Sequence, residues 1–334
     1  MNNKRLELLL PAIAYGDAAG LPTEAKSADW IAATYGRIDH LVAPAYNGIF
    51  KGEWPAGTTS DDTQLSRVVA RSLVRMQRFS IDDLAVEHSA AYQETATLQT
   101  DERTIVRGWG RSTTEAIERV MRGIDPRASG QLGGAGNGII MKQAPLAVWH
   151  AGRQTTSTTR HRQYDELTTM THDSDIARAC TRIHGEVLHA LLEDAPFSET
   201  VIRQVARYRS DHPAEMQAIA RAVTDPCQDD EALRRRYAEG KSGFKYGFYV
   251  PETLAISYDI YAATDDMATA VYRAVNLGGD SDSVASIVAA MMTLSGRLTP
   301  DTLPRDFTQT HDYLRNYSLS RHLAKAAFIG TITH

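Results

Sequence analysis

Two short acidic turns, more than two hundred residues apart, constrain this chain more than any other feature. The first is Gly57-Thr58-Thr59-Ser60-Asp61-Asp62-Thr63; the second is Leu277-Gly278-Gly279-Asp280-Ser281-Asp282-Ser283. Each opens on glycine, carries two aspartates beside hydroxyl residues, and runs into a segment with helical periodicity. After the second turn, Val284, Ile287, Val288, Met291 and Met292 fall on one stripe of a helix over Val284–Arg297. After the first, Leu65, Val68, Val69, Leu73 and Met76 do the same, with Arg67, Arg71, Arg75 and Arg78 on the other side.

Ser, Asp and Thr at a helix start are ordinary N-caps, and Asp61 with Gln64 has capping-box spacing. A cap needs one oxygen, however, and each turn offers three or four. If the turns converge, four carboxylates share one pocket. A like-charged pair about 5 Å apart repels by roughly 3 kcal/mol at an effective dielectric near 20. Such a pocket must hold protons or a hard dication. Carboxylates and hydroxyls without thiolate or imidazole suit Mg²⁺, Mn²⁺ or Ca²⁺ rather than Zn²⁺.

The rest of the chain supports an all-α reading. Helices are expected over Lys4–Tyr15 (starting or bending at Pro11), Trp30–Tyr35, Ser80–Thr95, a short segment capped by Ser112 and Glu115, and a long one from the Thr171–Ser174 cap to Leu192. Further helices are expected over Ser198–Tyr208, Pro213–Val223, Asp229–Ala238, Glu252–Ala262 and Asp265–Asn276, with a last one near Leu319–Phe328. Gly16–Glu24 reads as a turn-rich loop that leaves Glu24 on a mobile segment. Ile38–Pro55 and Lys241–Tyr249 read as loops, Arg153–Asp165 as a polar surface excursion, and the tail from Pro300 as a strap. His88 reads as a packed or surface histidine. Ser129–Lys142 holds five glycines in ten residues and suits close approach of backbone amides to a ligand. It fits neither a P-loop nor a dinucleotide fingerprint.

No alternating strands, βαβ rhythm or repeat of 20–50 residues is present. One domain over residues 1–334 is expected, with a core of about 5–298 and an extension over 299–334. Net charge of −5 disfavours nucleic acid as a partner, and two cysteines exclude a disulfide framework. The apolar run at Leu8–Leu10 is short, and Glu7 and Asp17 interrupt its surroundings, so a cytoplasmic protein without a membrane span is expected.

Taken in order, the motifs resemble those of the ADP-ribosylglycohydrolase family. They are Gly16-Asp17-Ala18-x-Gly20 with Glu24, Ser60-Asp61-Asp62-Thr63, Gly136-Asn137-Gly138 with Met141 and Pro145, Thr171-His172, and Gly278-Gly279-Asp280-Ser281-Asp282-Ser283. The resemblance implies an all-helical fold with a cleft holding two Mg²⁺, or Mn²⁺ in their place. It implies Ser60, Asp61 and Asp62 as ligands from the first turn, and Asp280, Asp282 and Ser283 from the second, with Asp282 bridging. Glu24 would gate the metals or touch substrate. Gly136, Asn137 and Gly138 would hold the diphosphate or ribose, and His172 would line the cleft. Serine replaces the usual threonine at Ser60 and Ser283, which keeps the oxygen. Lys142 replaces an arginine, and the two differ as anion clamps.

The implied reaction is removal of ADP-ribose from a modified protein, arginine being the expected acceptor, with Asp61 or Asp62 as base and Asp282 in the same catalytic group. Two alternatives stand beside it. Asp280-x-Asp282-x-Val284 also fits the haloacid-dehalogenase pattern, which would require a βαβ domain. A binding or immunity protein on the same scaffold could instead block an ADP-ribosyltransferase toxin by occlusion, with or without hydrolysis.

Overall fold

A computed structural model describes residues 4–45, 55–97, 108–237, 246–298 and 302–329. Two helices form its centre, and both are buried on every side: Leu9–Gly20 and Ser281–Leu294. The second was expected to bury one stripe only. Apart from Asp282 and Leu294, its remaining positions are alanine, serine and threonine, small enough to be enclosed on all faces. The two helices lie antiparallel and close, because Gly16 faces the Ala285 backbone and Gly20 faces that of Asp282. A Cβ at either glycine would overlap those atoms. Gly16–Gly20 is therefore the last turn of a helix rather than the expected loop. Its glycines permit helix contact instead of ending the helix. The helix starts at Leu9, with Pro11 in the first turn, where its missing N–H costs nothing.

Other elements wrap this pair. Asp61–Met76 packs on Leu9–Gly20 along its expected apolar stripe and carries Ile81–Thr97 outside it. Caps set many of the starts. Ser27 accepts from the Trp30 amide, Ser174 from Ala177, Asp266 from Thr269 and Thr310 from Tyr313. The C-terminal helix, His311–Ala327, is longer than expected and lies on the N-terminal segment. There Ser320 donates to the Leu6 carbonyl at 2.8 Å and accepts from the Leu10 amide at 3.3 Å.

Several boundaries differ from expectation for physical reasons. Ser112 lies inside the Arg111–Met121 helix and bonds Gln131 rather than capping. Within Arg153–Asp165, Ser157–Thr169 is helical, capped by Thr156 and not a surface excursion. Arg160 forms a two-pronged ion pair with Glu186 at 2.8 and 2.6 Å, and Tyr164 is fully buried against Gly185. The expected loops at Ile38–Pro55 and Lys241–Tyr249, and the start of the strap from Pro300, fall in part on residues 46–54, 238–245 and 299–301, outside the described residues.

Sixteen α-helices occur among the described residues, and the only strands there are two-residue pairs. The fold is a single all-α domain. Asp280 follows the helix Met267–Leu277 and a two-residue strand, Gly278–Gly279, that pairs only with Lys26–Ser27; among the described residues there is no βαβ sheet, which removes the haloacid-dehalogenase alternative. Among the described residues no helix is long and apolar enough to cross a membrane.

Candidate metal centre

The two acidic turns meet. The Asp62 carboxylate accepts the Ser286 hydroxyl at 2.7 Å and the Ser283 hydroxyl at 3.2 Å, so the N-termini of Asp61–Met76 and Ser281–Leu294 share one site. Neither aspartate of the first turn is a cap. That position belongs to Ser60, whose hydroxyl accepts from the Asp62 amide at 3.4 Å. Gln64 turns away to Thr95 and Trp109, so the capping box expected of Asp61 does not form. Asp280 occupies the N-cap position of the second helix but makes no side-chain cap bond there. The carboxylates exceed what helix capping uses.

Asp17, which the motif contained but to which no role was given, explains how the first turn is held. It is fully buried in an otherwise apolar helix. Its oxygens accept the Ser60 amide at 2.9 Å, the Thr63 amide at 3.0 Å and the Thr63 hydroxyl at 2.5 Å. A carboxylate from one helix thereby satisfies the free N–H groups opening another, where the helix dipole favours negative charge. The sequence signal was available: a lone charge inside an apolar run is rarely buried without a partner. Ser286, one turn beyond Ser283, was also missed and fixes Asp62.

Glu24 stands between the turn Leu21–Thr23 and a short ladder rather than in a long irregular loop. Lys26–Ser27 pairs antiparallel with Gly278–Gly279, and the Ala25 amide donates to the Gly279 carbonyl at 2.7 Å. Gly278 and Gly279 both take φ > 0, at 81° and 67°, which side-chain-bearing residues rarely adopt. This short ladder sets carboxylate oxygens of Glu24, Asp280 and Asp282 within 4.8 Å of one another. The Asp282 Oδ1 atom is buried without a hydrogen-bond partner. An orphaned carboxylate oxygen beside two other carboxylates suits the binding of a cation.

Burial and mutual repulsion push these groups in one direction. The carboxyls of Glu24, Asp62, Asp280 and Asp282 are all raised well above the ordinary range, first by burial and next by a neighbouring carboxylate. Asp61 is raised to about 7 by burial and by the charge of Asp17. A compensating charge lies nearby: Lys142 is fully buried, and burial lowers it to about 7 while Asp61 opposes the shift. Its Nζ stands 3.4 Å from Nε2 of His88, whose Nδ1 faces the Leu84 carbonyl at 2.7 Å. With Nδ1–H donating to that carbonyl, the neutral His88 offers Nε2 as acceptor. Lys142 is thus an internal counter-charge, not a clamp reaching an external anion.

The glycine-rich loop abuts the same site. The Asn137 amide donates to Asp280 at 2.7 Å and to the Gly247 carbonyl at 2.9 Å, so it orients a carboxylate. Gly136 and Gly138 cover His172: a Cβ on the first would stand 3.4 Å from its Nε2, and one on the second 3.6 Å from its Cε1. His172 is buried beneath the loop rather than open to the cleft, bonded to the Thr171 hydroxyl, and kept neutral by burial, which lowers it to about 3.

A model of the ADP-ribosylglycohydrolase family matches residues 5–329. An uncharacterized protein of Archaeoglobus fulgidus is 28% identical over 291 residues, 86% of this chain and 87% of that protein. The ADP-ribosylarginine hydrolase Tri1 of Pseudomonas putida is 25% identical over 294 residues, 86% of this chain and 70% of that protein. Among solved structures, one described as an ADP-ribosylglycohydrolase-related protein complex is similar with a TM-score of 0.72 at 23% identity, covering 97% of this chain and 98% of that one. At that identity the likeness is one of fold.

Proposed function

Because this chain belongs to the ADP-ribosylglycohydrolase family, we propose that it hydrolyses the N-glycosidic bond joining ADP-ribose to an arginine side chain, with two Mg²⁺ or Mn²⁺ ions held between its acidic turns. The observation that carries the metal reading is the convergence of carboxylate oxygens of Glu24, Asp280 and Asp282, with the Oδ1 of Asp282 buried and unpartnered. Ser60, Asp61 and Asp62 from one turn, and Asp280, Asp282 and Ser283 from the other, would hold the ions. Such cations supply Lewis acidity toward the ribose hydroxyls and the attacking water. Arginine as acceptor rests on the similarity to the hydrolase of Pseudomonas putida.

The chain's own groups divide the remaining work. Asp62 is pinned by Ser283 and Ser286, which suits a fixed ligand. That leaves Asp61 as the base that takes the water proton. The water oxygen bonds to the anomeric carbon, the carbon–nitrogen bond breaks, and the guanidine leaves as it takes up the proton that Asp61 removed from the water. The surrounding carboxylates favour the positive charge that grows on the anomeric carbon. Asn137 holds Asp280 by its hydrogen bond, and Glu24 adds a third carboxylate beside Asp280 and Asp282.

The test is release of ADP-ribose from an arginine-ADP-ribosylated protein, with Mg²⁺ and with EDTA, beside a serine-linked substrate. Mg²⁺-dependent release from arginine is expected, and Asp61→Asn should slow it by about 10²–10⁴-fold, the usual worth of a positioned base. Cleavage of the serine linkage alone would refute the acceptor, and equal release in EDTA would refute the metals. Protection of targets by an Asp62→Ala variant that cannot hydrolyse would favour the occlusion reading instead.

A further inference from the structure

The arginine stripe behind the first acidic turn takes no part in the metal centre. Arg67 and Arg71 sit one turn apart on the outer face of Asp61–Met76, opposite Arg315, Ser318 and His322 of the C-terminal helix. These residues line an open pocket of about 580 Å³, with Leu314 at its edge. Two basic helix faces set against each other reverse the usual pairing of opposite charges between neighbouring side chains.

The balance of partners within the pocket is incomplete. Arg71 donates to Glu87 at 2.8 Å and is satisfied. Arg67 is not. Its Nε and Nη1 atoms are buried without hydrogen-bond partners, although only 13% of its side chain is exposed. Asp312 approaches Nη1 at 3.9 Å, an ion pair beyond hydrogen-bond range, and the charge of Glu94 also favours the cation. Arg315 and His322 are exposed and have no ion-pair or hydrogen-bond partner among the described residues. Burial and the charge of Arg315 both disfavour the Arg67 cation. A guanidinium kept in such a place needs an acceptor, and a planar fork of N–H donors matches phosphate oxygens.

We propose that this pocket, between the Asp61–Met76 and His311–Ala327 helices, is a second binding site that takes a phosphate-bearing anion on Arg67, Arg315 and His322. The ligand is small. The chain carries a net charge of −5, and this concave patch is too restricted for the extended basic footprint of a nucleic-acid binder. Its volume lies in the range of small-molecule sites. Ser318 adds a hydroxyl donor, and Leu314 offers an apolar edge for a nucleoside or sugar attached to the phosphates. The site is independent of the metal centre. Arg67 lies six residues beyond Asp61, roughly 9 Å along the helix axis, and on the outer face of the helix.

Calorimetric titration of the whole protein with inorganic pyrophosphate in EDTA tests this directly, because the metal-free acidic centre repels anions. Saturable binding is expected, weakened about tenfold or more in Arg315→Glu, the scale of one lost charge-assisted contact. Arg315 is exposed, so the variant should keep its fold and its hydrolase rate, and His322→Glu provides a second probe of the same pocket. Parallel titrations with inorganic phosphate and ADP-ribose separate the sources. Binding of pyrophosphate alone marks a free polyphosphate, and a component of ADP-ribose binding that disappears in Arg315→Glu marks a nucleotide. The proposal is overturned if no small anion binds saturably, if the variants bind as the wild type does, or if only an acidic peptide binds.

Discussion

Asp282→Asn is expected to raise the stability of the metal-free protein while abolishing its stabilisation by Mg²⁺ or Mn²⁺. The Asp282 carboxylate lies within 4.8 Å of two others, and its Oδ1 has no partner. A pair of charges at that spacing repels by roughly 3 kcal/mol at an effective dielectric near 20. Proton uptake relieves part of this, so the metal-free gain should be about 1–2 kcal/mol. The sign of the pH dependence follows from the same crowding. Asp61 holds its proton up to about 7 in the folded protein against 3.8 unfolded, so folding is favoured below the lower value and that advantage is lost as pH rises through the upper one. In EDTA the wild-type Tm should therefore fall between about pH 4 and 7, less steeply in Asp282→Asn, and the added cation should restore it in the wild type alone. Thermal melts at several pH values, with EDTA and with Mn²⁺, check all of this. A variant less stable than wild type in EDTA would make Asp282 a structural group.

Gly20→Ala carries the second large effect, against its local propensity. Alanine is favoured over glycine in a helix by about 1 kcal/mol. At Gly20, though, the added methyl would overlap the Asp282 backbone and the Ser281 carbonyl carbon, which cannot rotate aside as a side chain could. Overpacking of this kind costs about 1–3 kcal/mol or more, so a net loss near 2 kcal/mol is expected, with the second acidic turn displaced. Denaturant melts should show a lower midpoint at unchanged m, and metal affinity should fall with it. Unchanged stability would mean that the two central helices are not held as closely as their glycines imply.

How much could be read in advance follows from what each residue does. Asp61, Asp62, Asp280 and Asp282 were legible because they supplied more oxygen than a helix start consumes, and that excess is local. Asp17 was not, since a single carboxylate in an apolar run looks like an interruption until its partner, the start of a helix beginning forty-four residues later, is in place. Gly16 and Gly20 misled for a related reason. Glycine suggests a turn by conformational freedom, yet here it serves by lacking a Cβ against a neighbouring helix. Arg160, Arg162 and Gln163 made their segment look solvated, whereas Tyr164 and Leu167 bury it. Asn137 was expected to hold diphosphate or ribose and His172 to line the cleft; that the amide of the first is spent on Asp280 and that the second lies buried under the glycine loop depend on tertiary packing alone.

The most direct test of the central claim is an anomalous difference map from a crystal grown with Mn²⁺. The account predicts peaks between the two turns, at about 2.1 Å from oxygens of Asp62 and Asp282, the spacing expected of small oxygen-ligated dications. A map with no peak among Ser60, Asp61, Asp62, Asp280, Asp282 and Ser283, while Mn²⁺ occupies other surface carboxylates, would contradict it.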